Sequence, residues 1–185
     1  MALLIKHISL VLIYILLFTA CEKGEETNRY YLTAAEKAFI PYSLNQQIPF
    51  THSDGSKFNL EVVDVTNEFR QSLKYFPRDD YHSYEVKSVL LESSIPELRI
   101  NLFIEANSYH PYVWIYFNDY QVSFVPAEES TMEMVKIGDQ EFTDVYMVDY
   151  LFPDTTIVSP SEILYTAEDG IIQITMTNRE AFWIQ

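Results

Sequence analysis

One stretch of the sequence brings acidic and imidazole side chains close enough together to suggest a metal site. Asp79, Asp80, His82 and Glu85 offer the oxygen and nitrogen ligands that calcium and zinc prefer. The stretch has none of the spacings that define HExxH, EF-hand or paired CxxC sites. Because four polar residues in a loop are common, we predict that the protein binds neither a metal nor another cofactor.

The sequence lacks the local motifs of nucleophilic catalysis and of phosphate binding. The chain has no GxSxG elbow and no glycine-rich phosphate loop, and it contains only four glycines and one cysteine. A glycoside hydrolase needs only two carboxylates that meet in space, and 27 Asp and Glu residues offer many pairs. A glycoside-type hydrolase with paired loop carboxylates is therefore the enzymatic alternative, while the sequence favours a protein that is not an enzyme and has no catalytic residue.

Aromatic side chains offer a different kind of chemistry, the stacking of rings. Within residues 112–117, strand alternation places Tyr112, Trp114 and Tyr116 on one face and apolar side chains on the other. Such a row could stack against the apolar CH faces of sugar rings, so these three residues form a candidate ligand platform. The alternative is a strand that is buried on both faces, or whose second face is covered by a helix.

The charge of the chain restricts its partners. The formal net charge is −15, with 27 acidic against 12 basic residues. Nucleic acids and anionic lipid surfaces attract positively charged proteins. The sequence therefore predicts no nucleic-acid partner.

The amino-terminal residues have the order of a secretory signal. Lys6 precedes an apolar run over residues 11–18, and the small residues Thr19 and Ala20 follow it. The run of about a dozen apolar residues is shorter than the ~20 that a transmembrane helix needs. We therefore predict a signal peptide over residues 1–20.

The end of this signal contains the single cysteine. Phe18, Thr19, Ala20 and Cys21 resemble a bacterial lipobox, the site read by the lipoprotein signal peptidase, with Phe18 where leucine is usual. The resemblance implies that Cys21 becomes the first residue of the mature protein and carries a diacylglyceryl thioether and an amide-linked acyl chain. Several acyl chains, at ~0.8 kcal/mol per buried methylene, would attach it permanently to a membrane. The alternatives are a secreted protein with a free cysteine and an uncleaved signal anchor.

Two further short matches concern export. Residues 22–26 are similar to the Lys-and-acid signals of surface-displayed Bacteroidota lipoproteins and lack the Asp that retains enterobacterial lipoproteins in the inner membrane. The resemblance implies a location in the outer membrane, facing either the exterior or the periplasm; the alternative is a solvated tether.

Asp154, Thr155 and Thr156 resemble the Bacteroidota O-glycosylation sequon, which implies a glycan on Thr155.

The remaining chain is predicted to be a tether over residues 21–32 and a single β-rich domain over residues 33–185. Strict alternation over residues 99–106 and 171–177 predicts antiparallel strands, and Asn, Asp and Gly predict tight turns between strands. The fold class is mainly β, an antiparallel meander of about nine or ten strands that forms a barrel, half-barrel or sandwich.

One or two short helices are expected beside the strands. Thr33 and Glu36 have the spacing of a capping box, which predicts a helix over residues 33–39. The second prediction is a helical turn or two over residues 66–76, before Pro77 and an exposed loop.

The carboxyl-terminal residues carry the second resemblance. Residues 163–184 are similar to the closing hairpins of many small, uncharacterised Bacteroidota lipoproteins, and residues 142–146 look like the strand that precedes them. The match implies an architecture and no activity. Together, these patterns predict a lipoprotein of the outer membrane or cell surface that acts as a non-enzymatic binding or accessory module, with a glycan or an envelope protein as its partner.

Overall fold

The computed structural model describes residues 24–73, 81–118, 120–149 and 158–185. Of these residues 66% are in strands, and one short helix is present, so the prediction of a mainly β, antiparallel fold is confirmed. They form two compact units. The smaller contains residues 24–29, 71–73 and 81–83, and the larger contains residues 30–70 and the described residues from 84 onward.

The elements run in the following order along the described chain. They are β1 (Glu26–Tyr30), α1 (Ala34–Ala38), β2 (Gln47–His52), β3 (Lys57–Leu73), β4 (Tyr81–Ser94), β5 (Glu97–Glu105), β6 (Tyr112–Phe117), β7 (Tyr120–Phe124), β8 (Met132–Ile137), β9 (Gln140–Asp149), β10 (Pro160–Thr166), β11 (Gly170–Met176) and β12 (Ala181–Ile184).

The smaller unit is organised by hydrogen bonds between the amino-terminal residues and the start of β4. The Tyr81 N–H donates to the Glu25 carbonyl at 3.1 Å, and the Thr27 hydroxyl donates to the Tyr81 carbonyl at 3.2 Å. Arg29 makes a two-armed contact with the Glu26 carboxylate at 2.8 and 2.9 Å, which lowers the pKa of Glu26. Residues that the sequence placed in a tether therefore form a strand.

The larger unit consists of two meanders joined edge to edge. Its strand order is β7-β6-β5-β4-β3-β2-β12-β11-β10-β9-β8, so the only neighbours in this series that are distant in sequence are β2 and β12. These two pair antiparallel, with Phe182 opposite His52 and Ile184 opposite Phe50. The last strand of the chain therefore connects the amino-terminal meander to the carboxyl-terminal one.

This sheet curls until its two ends approach each other, as a half-barrel. The Phe124 ring at the end of β7 lies 5.3 Å from the Tyr146 ring on β9 and 5.6 Å from the Tyr165 ring on β10, centroid to centroid. These strands stand at opposite ends of the strand order. The contact therefore closes the curl around the apolar interior.

Apolar side chains pack in two clusters on opposite faces of the curled sheet. Ile163 and Tyr165 belong to the larger, inner cluster, while Leu164 between them belongs to the smaller, outer one. The outer cluster covers part of the sheet near β8 to β12 and consists of Ile137, Phe142, Val145, Leu164 and Ile172. The carboxyl-terminal meander is thus apolar on both sides.

The predicted capping box begins α1. The Thr33 N–H donates to the Glu36 carboxylate at 2.7 Å, and the Glu36 N–H donates to the Thr33 hydroxyl at 3.2 Å. After the helix, Ile40 and Tyr42 enter the inner cluster, with exposures of 0% and 4%. Ile40 and Tyr42 therefore help to fill the inside of the curl.

The helical turn predicted for residues 66–76 is wrong, because β3 is extended over the described part of that range. Its residue types favour helix, but long-range contacts hold it as a strand. The Phe69 ring meets the Tyr31 ring edge-on at 5.4 Å, and the Arg70 guanidinium lies 5.5 Å from the centre of the Phe103 ring. Side-chain contacts with distant strands thus outweigh local propensity.

The strand boundaries that alternation predicts agree with the structure. The predicted strands over residues 99–106, 112–117 and 171–177 match β5, β6 and β11 to within two residues at each end. The described residues contain twelve strands rather than nine or ten, because β1 and β4 have no clean alternation of apolar and polar residues and β2 contains Pro49.

Replacing Gly170 by alanine should destabilise the protein strongly. The new methyl group would collide with the Tyr42 hydroxyl, which accepts the Ile171 N–H at 2.7 Å, and φ at Gly170 is +77°. Backbone strain and overpacking together cost about 2–5 kcal/mol. In the control Gly55→Ala, φ is +90° but no atom lies within 4 Å of the added carbon, so the loss should be about 1–2 kcal/mol. Urea unfolding measures both, and equal losses would contradict this packing of Tyr42.

Candidate ligand-binding face

The candidate site is on the outer face of the amino-terminal meander, and β5 defines that face. Leu98, Ile100, Leu102 and Ile104 are at most 6% exposed and point into the inner cluster. The alternate residues of β5 therefore point outward, and most of them are polar. Phe103 is the exception, an aromatic residue on the outer face that is nevertheless buried.

Phe103 is buried because aromatic rings of β6 flank it. It lies opposite Trp114 in the ladder, with their ring centroids 6.1 Å apart, and the Tyr116 ring is 5.5 Å away on its other side. Both neighbours are within 22° of parallel to it. Tyr112 continues the row, 6.0 Å from Trp114. We call these four residues, Tyr112, Trp114, Phe103 and Tyr116, the ring array.

The sequence-predicted platform is thus brought together and extended by a fourth ring. Tyr112 is 43% exposed, and Trp114 and Tyr116 are half-buried. The strand is therefore not fully buried on both faces, and α1, the single helix among the described residues, contacts β4 from the inner side. The platform is an open face supported by paired strands.

Charged groups border the ring array. Arg70 lies over the Phe103 ring and donates to the Glu68 carboxylate at 2.7 Å. Burial raises the pKa of Glu105, and the positive charge of Arg70 opposes this shift in part. The guanidinium therefore bonds to the ring by cation–π attraction and also moderates the desolvated carboxyl next to it.

The Trp114 indole N–H is buried beside the Glu105 carboxyl. Its Nε1 makes no hydrogen bond of good geometry within the described residues, yet it helps to lower the pKa of Glu105 against the larger effect of burial. The N–H of Trp114 therefore interacts with the protein's own carboxyl, and the face of its ring is the part that a ligand could contact.

Sequence reasoning missed Phe103 and Arg70 as members of this face. The alternation of β5 contained a signal for Phe103, because it is the only aromatic residue among the outward-facing positions of that strand. No comparable signal existed for Arg70, because its position over the ring depends on β3 continuing through residues for which the sequence predicts a helical turn.

The remaining predicted site residues do not belong to this face. Phe18, Thr19, Ala20, Cys21, Asp79, Asp80 and Thr155 lie outside the described residues. No group of three or more His, Cys, Asp or Glu side chains in the described part of the chain is placed to hold a metal. Within the same residues no helix has the length and apolar character needed to cross a membrane.

The two described members of the predicted metal stretch have structural partners. The ring Nδ1 of His82 is 3.1 Å from the Thr27 hydroxyl. The Glu85 carboxylate accepts from Lys37 Nζ at 2.6 Å and from the Leu32 N–H at 3.0 Å. The hydrogen bond from Lys37 is the main cause of the lowered pKa of Glu85. Glu85 therefore acts in the fold, as an acceptor for the segment that contains α1.

Lys87, two residues farther along the same face of β4, binds the other end of that segment. Its Nζ donates to the Lys37 carbonyl at 2.9 Å and to the Ile40 carbonyl at 2.6 Å. Carbonyls at the end of a helix have no partner within the helix. Glu85 and Lys87 together thus fasten the start and the end of α1 to the sheet.

Comparison with protein-family models gives no match, and neither the curated proteins nor the solved structures include one that matches this chain. The functional argument therefore depends on the geometry of the ring array and on the residues around it.

Substituting Glu85 by glutamine should lower the free energy of unfolding at pH 7 by about 1–3 kcal/mol, because it removes a charged partner of Lys37. The pKa of Glu85 is lowered in the folded protein, so its contribution is complete above the unfolded value of ~4.3 and is lost as the pH falls through the folded value. The difference between wild type and variant should therefore shrink on acidification.

Denaturant unfolding at neutral and acidic pH measures that difference. The exposed residue Glu141 on β9 provides a control, since Glu141→Gln should change stability by less than about 0.5 kcal/mol. A Glu85→Gln deficit that is the same at both pH values would show that the ion pair with Lys37 is not its source.

Proposed function

We propose that this protein is a lipid-anchored binding module of the outer membrane or cell surface, and that its ring array binds a neutral glycan without catalysing a reaction. The observation that carries the proposal is the row of four contacting aromatic rings on the open face of β5 and β6. Aromatic rings bind the apolar faces of sugars, and strands hold them rigidly in place.

Three properties of the face support a neutral ligand. The chain has a formal net charge of −15, which disfavours polyanions. Arg70, the cation over the array, is already paired with Glu68. The phenol hydroxyls of Tyr112 and Tyr116 can donate to and accept from uncharged hydroxyl groups. A ligand with hydroxyl groups and apolar CH faces fits all three.

An envelope protein is the other partner predicted from the sequence. Tyr, Trp and Arg dominate the energetics of protein interfaces, and all three types occur here. The glycan is favoured because the face is a narrow row of rings, whereas stable protein interfaces bury about 800 Å² on each partner.

The second candidate function is the glycoside-type hydrolase with paired carboxylates. The observation that favours it is on β9 and β10, where Asp149 and Glu162 lie directly opposite each other. Burial first, and then the charge of Asp149, raise the pKa of Glu162, and a raised pKa suits a general acid. These residues are in strands, whereas the sequence placed the carboxylates in loops.

The membrane anchor rests on the lipobox resemblance of residues 18–21. Metabolic labelling with a palmitate analogue should label the protein, and Cys21→Ala should abolish both the label and recovery in the membrane fraction. Lys23→Ala, outside the lipobox, should keep both. Label that persists in Cys21→Ala would overturn the lipid anchor.

Glycan binding can be followed through Trp114 itself. The chain contains two tryptophans, Trp114 and Trp183, so Trp183→Phe leaves the ring array as the only indole fluorophore. Titration with neutral oligosaccharides should change its emission. Tyr112→Ala should weaken binding about five- to tenfold, since one aromatic contact contributes about 1–1.4 kcal/mol. Tyr109→Ala is the matched control, because Tyr109 is 89% exposed and lies outside the array.

Each outcome separates the candidates. Absence of glycan binding, together with capture of an envelope protein that Tyr112→Ala abolishes, would overturn the glycan and support the protein partner. Release of reducing ends from the oligosaccharide, abolished by Glu162→Gln, would support the hydrolase instead.

A further inference from the structure

A groove of about 830 Å³ lies on the larger unit, among β2, β3 and the hairpin that joins β4 to β5. Its size falls within the range of small-molecule sites, which is about 300–1,000 Å³. The side-chain amides of Gln47 and Asn59 line it, and Arg99 stands on the hairpin side. Phe58 and Val63 add apolar surface. The groove thus combines hydrogen-bonding and charged groups with a smaller apolar surface.

The groove and the ring array share one face of the sheet. Glu97 and Arg99 line the groove, and they alternate on β5 with inward-facing residues, as Asn101 and Phe103 do. Arg99 and Phe103 are four residue steps apart along β5, which is about 13 Å at ~3.3 Å per residue. The side chain between them, Asn101, accepts a hydrogen bond from Ser88 at 2.9 Å. A polar strip therefore joins the two features.

The strands beneath the groove are interior strands of the sheet. β2, β3, β4 and β5 each have a hydrogen-bonded neighbour on both sides. A peptide could not add to them as a further strand, because β-augmentation needs an open edge. A ligand in the groove must therefore be recognised by side chains.

We propose that the groove and the ring array are two parts of one elongated site for a linear, neutral oligosaccharide. This inference rests on the proposed glycan-binding function and specifies its ligand class. The ring array stacks one end of the chain, the strip at Asn101 carries the middle, and the groove holds the other end. A single sugar is too short to reach from Phe103 to Arg99.

The chemistry of the groove matches this ligand. Carboxamides both donate and accept hydrogen bonds, as the hydroxyl groups of sugars do. Arg99 is 3.5 Å from the Glu92 carboxylate. The charged residues of the lining are three acids, Glu61, Glu92 and Glu97, and two bases, Lys57 and Arg99. Such a nearly balanced lining suits uncharged hydroxyl groups.

Chain length provides the test. In the Trp183→Phe protein, affinity is measured for a monosaccharide, disaccharide, tetrasaccharide and hexasaccharide of the cello-, malto-, xylo- and manno- series. Affinity for the preferred series should rise about tenfold or more from disaccharide to hexasaccharide, because the longer chain gains the amide contacts of the groove.

Variants distinguish the two parts of the site. The double variant Gln47→Ala/Asn59→Ala should lose the gain with chain length and keep the affinity for the disaccharide. Tyr112→Ala should weaken binding of both lengths. Asn67→Ala, an exposed asparagine on β3 outside the groove, should change neither affinity.

The results also separate this inference from the function on which it rests. Equal affinity for disaccharide and hexasaccharide, sensitive to Tyr112→Ala, would overturn the elongated site and leave the glycan-binding function standing. Unchanged chain-length dependence in the double variant would also overturn it. If no oligosaccharide of any length binds, both the function and the elongated site are overturned.

Discussion

Filling the inner face of the curled sheet is the constraint on which the larger unit depends. A sheet with one apolar face must bury it against something, and here Leu32, Ile40 and Tyr42, on either side of α1, complete the core. They bring backbone groups with them that would be costly to bury without partners. Glu85 and Lys87 supply those partners from β4, and the hydroxyl of Tyr165 donates to the Phe39 carbonyl. Polar bonds thus fix in place a segment whose apolar side chains complete the core.

This use of the inner face determines where a ligand can bind. The inner cluster occupies one side of the sheet, and the smaller cluster covers the outer side near β8 to β12. The outer side of β3 to β6 is left for polar residues and for the ring array. Aromatic residues with no core to enter pack against one another, as Phe103 does between Trp114 and Tyr116. The site therefore occupies the surface that the packing of the fold leaves exposed.

The sequence predicted those features that depend on neighbouring residues. The limits of β6, the capping box of Thr33 and Glu36, and the tight turns all follow from local patterns. It could not predict the extension of β3, because the contacts of Phe69 and Arg70 that hold it come from residues distant in sequence. The sequence identified three of the four rings, because Tyr112, Trp114 and Tyr116 belong to one strand. Phe103 joins them through strand register, which alternation alone does not fix.

Phe103 also explains how the rings of the outer face are held in place. Three tyrosine and tryptophan side chains on an open strand would each have several rotamers, and a ligand that fixed them would have to overcome that entropy. Phe103 packs between Trp114 and Tyr116, and Arg70 covers its ring while held by Glu68. Each ring thus limits the rotamers of the next before any ligand arrives. The indole of Trp114 is held in the same way, with its N–H buried beside the Glu105 carboxyl, so the orientation of its ring face is already set.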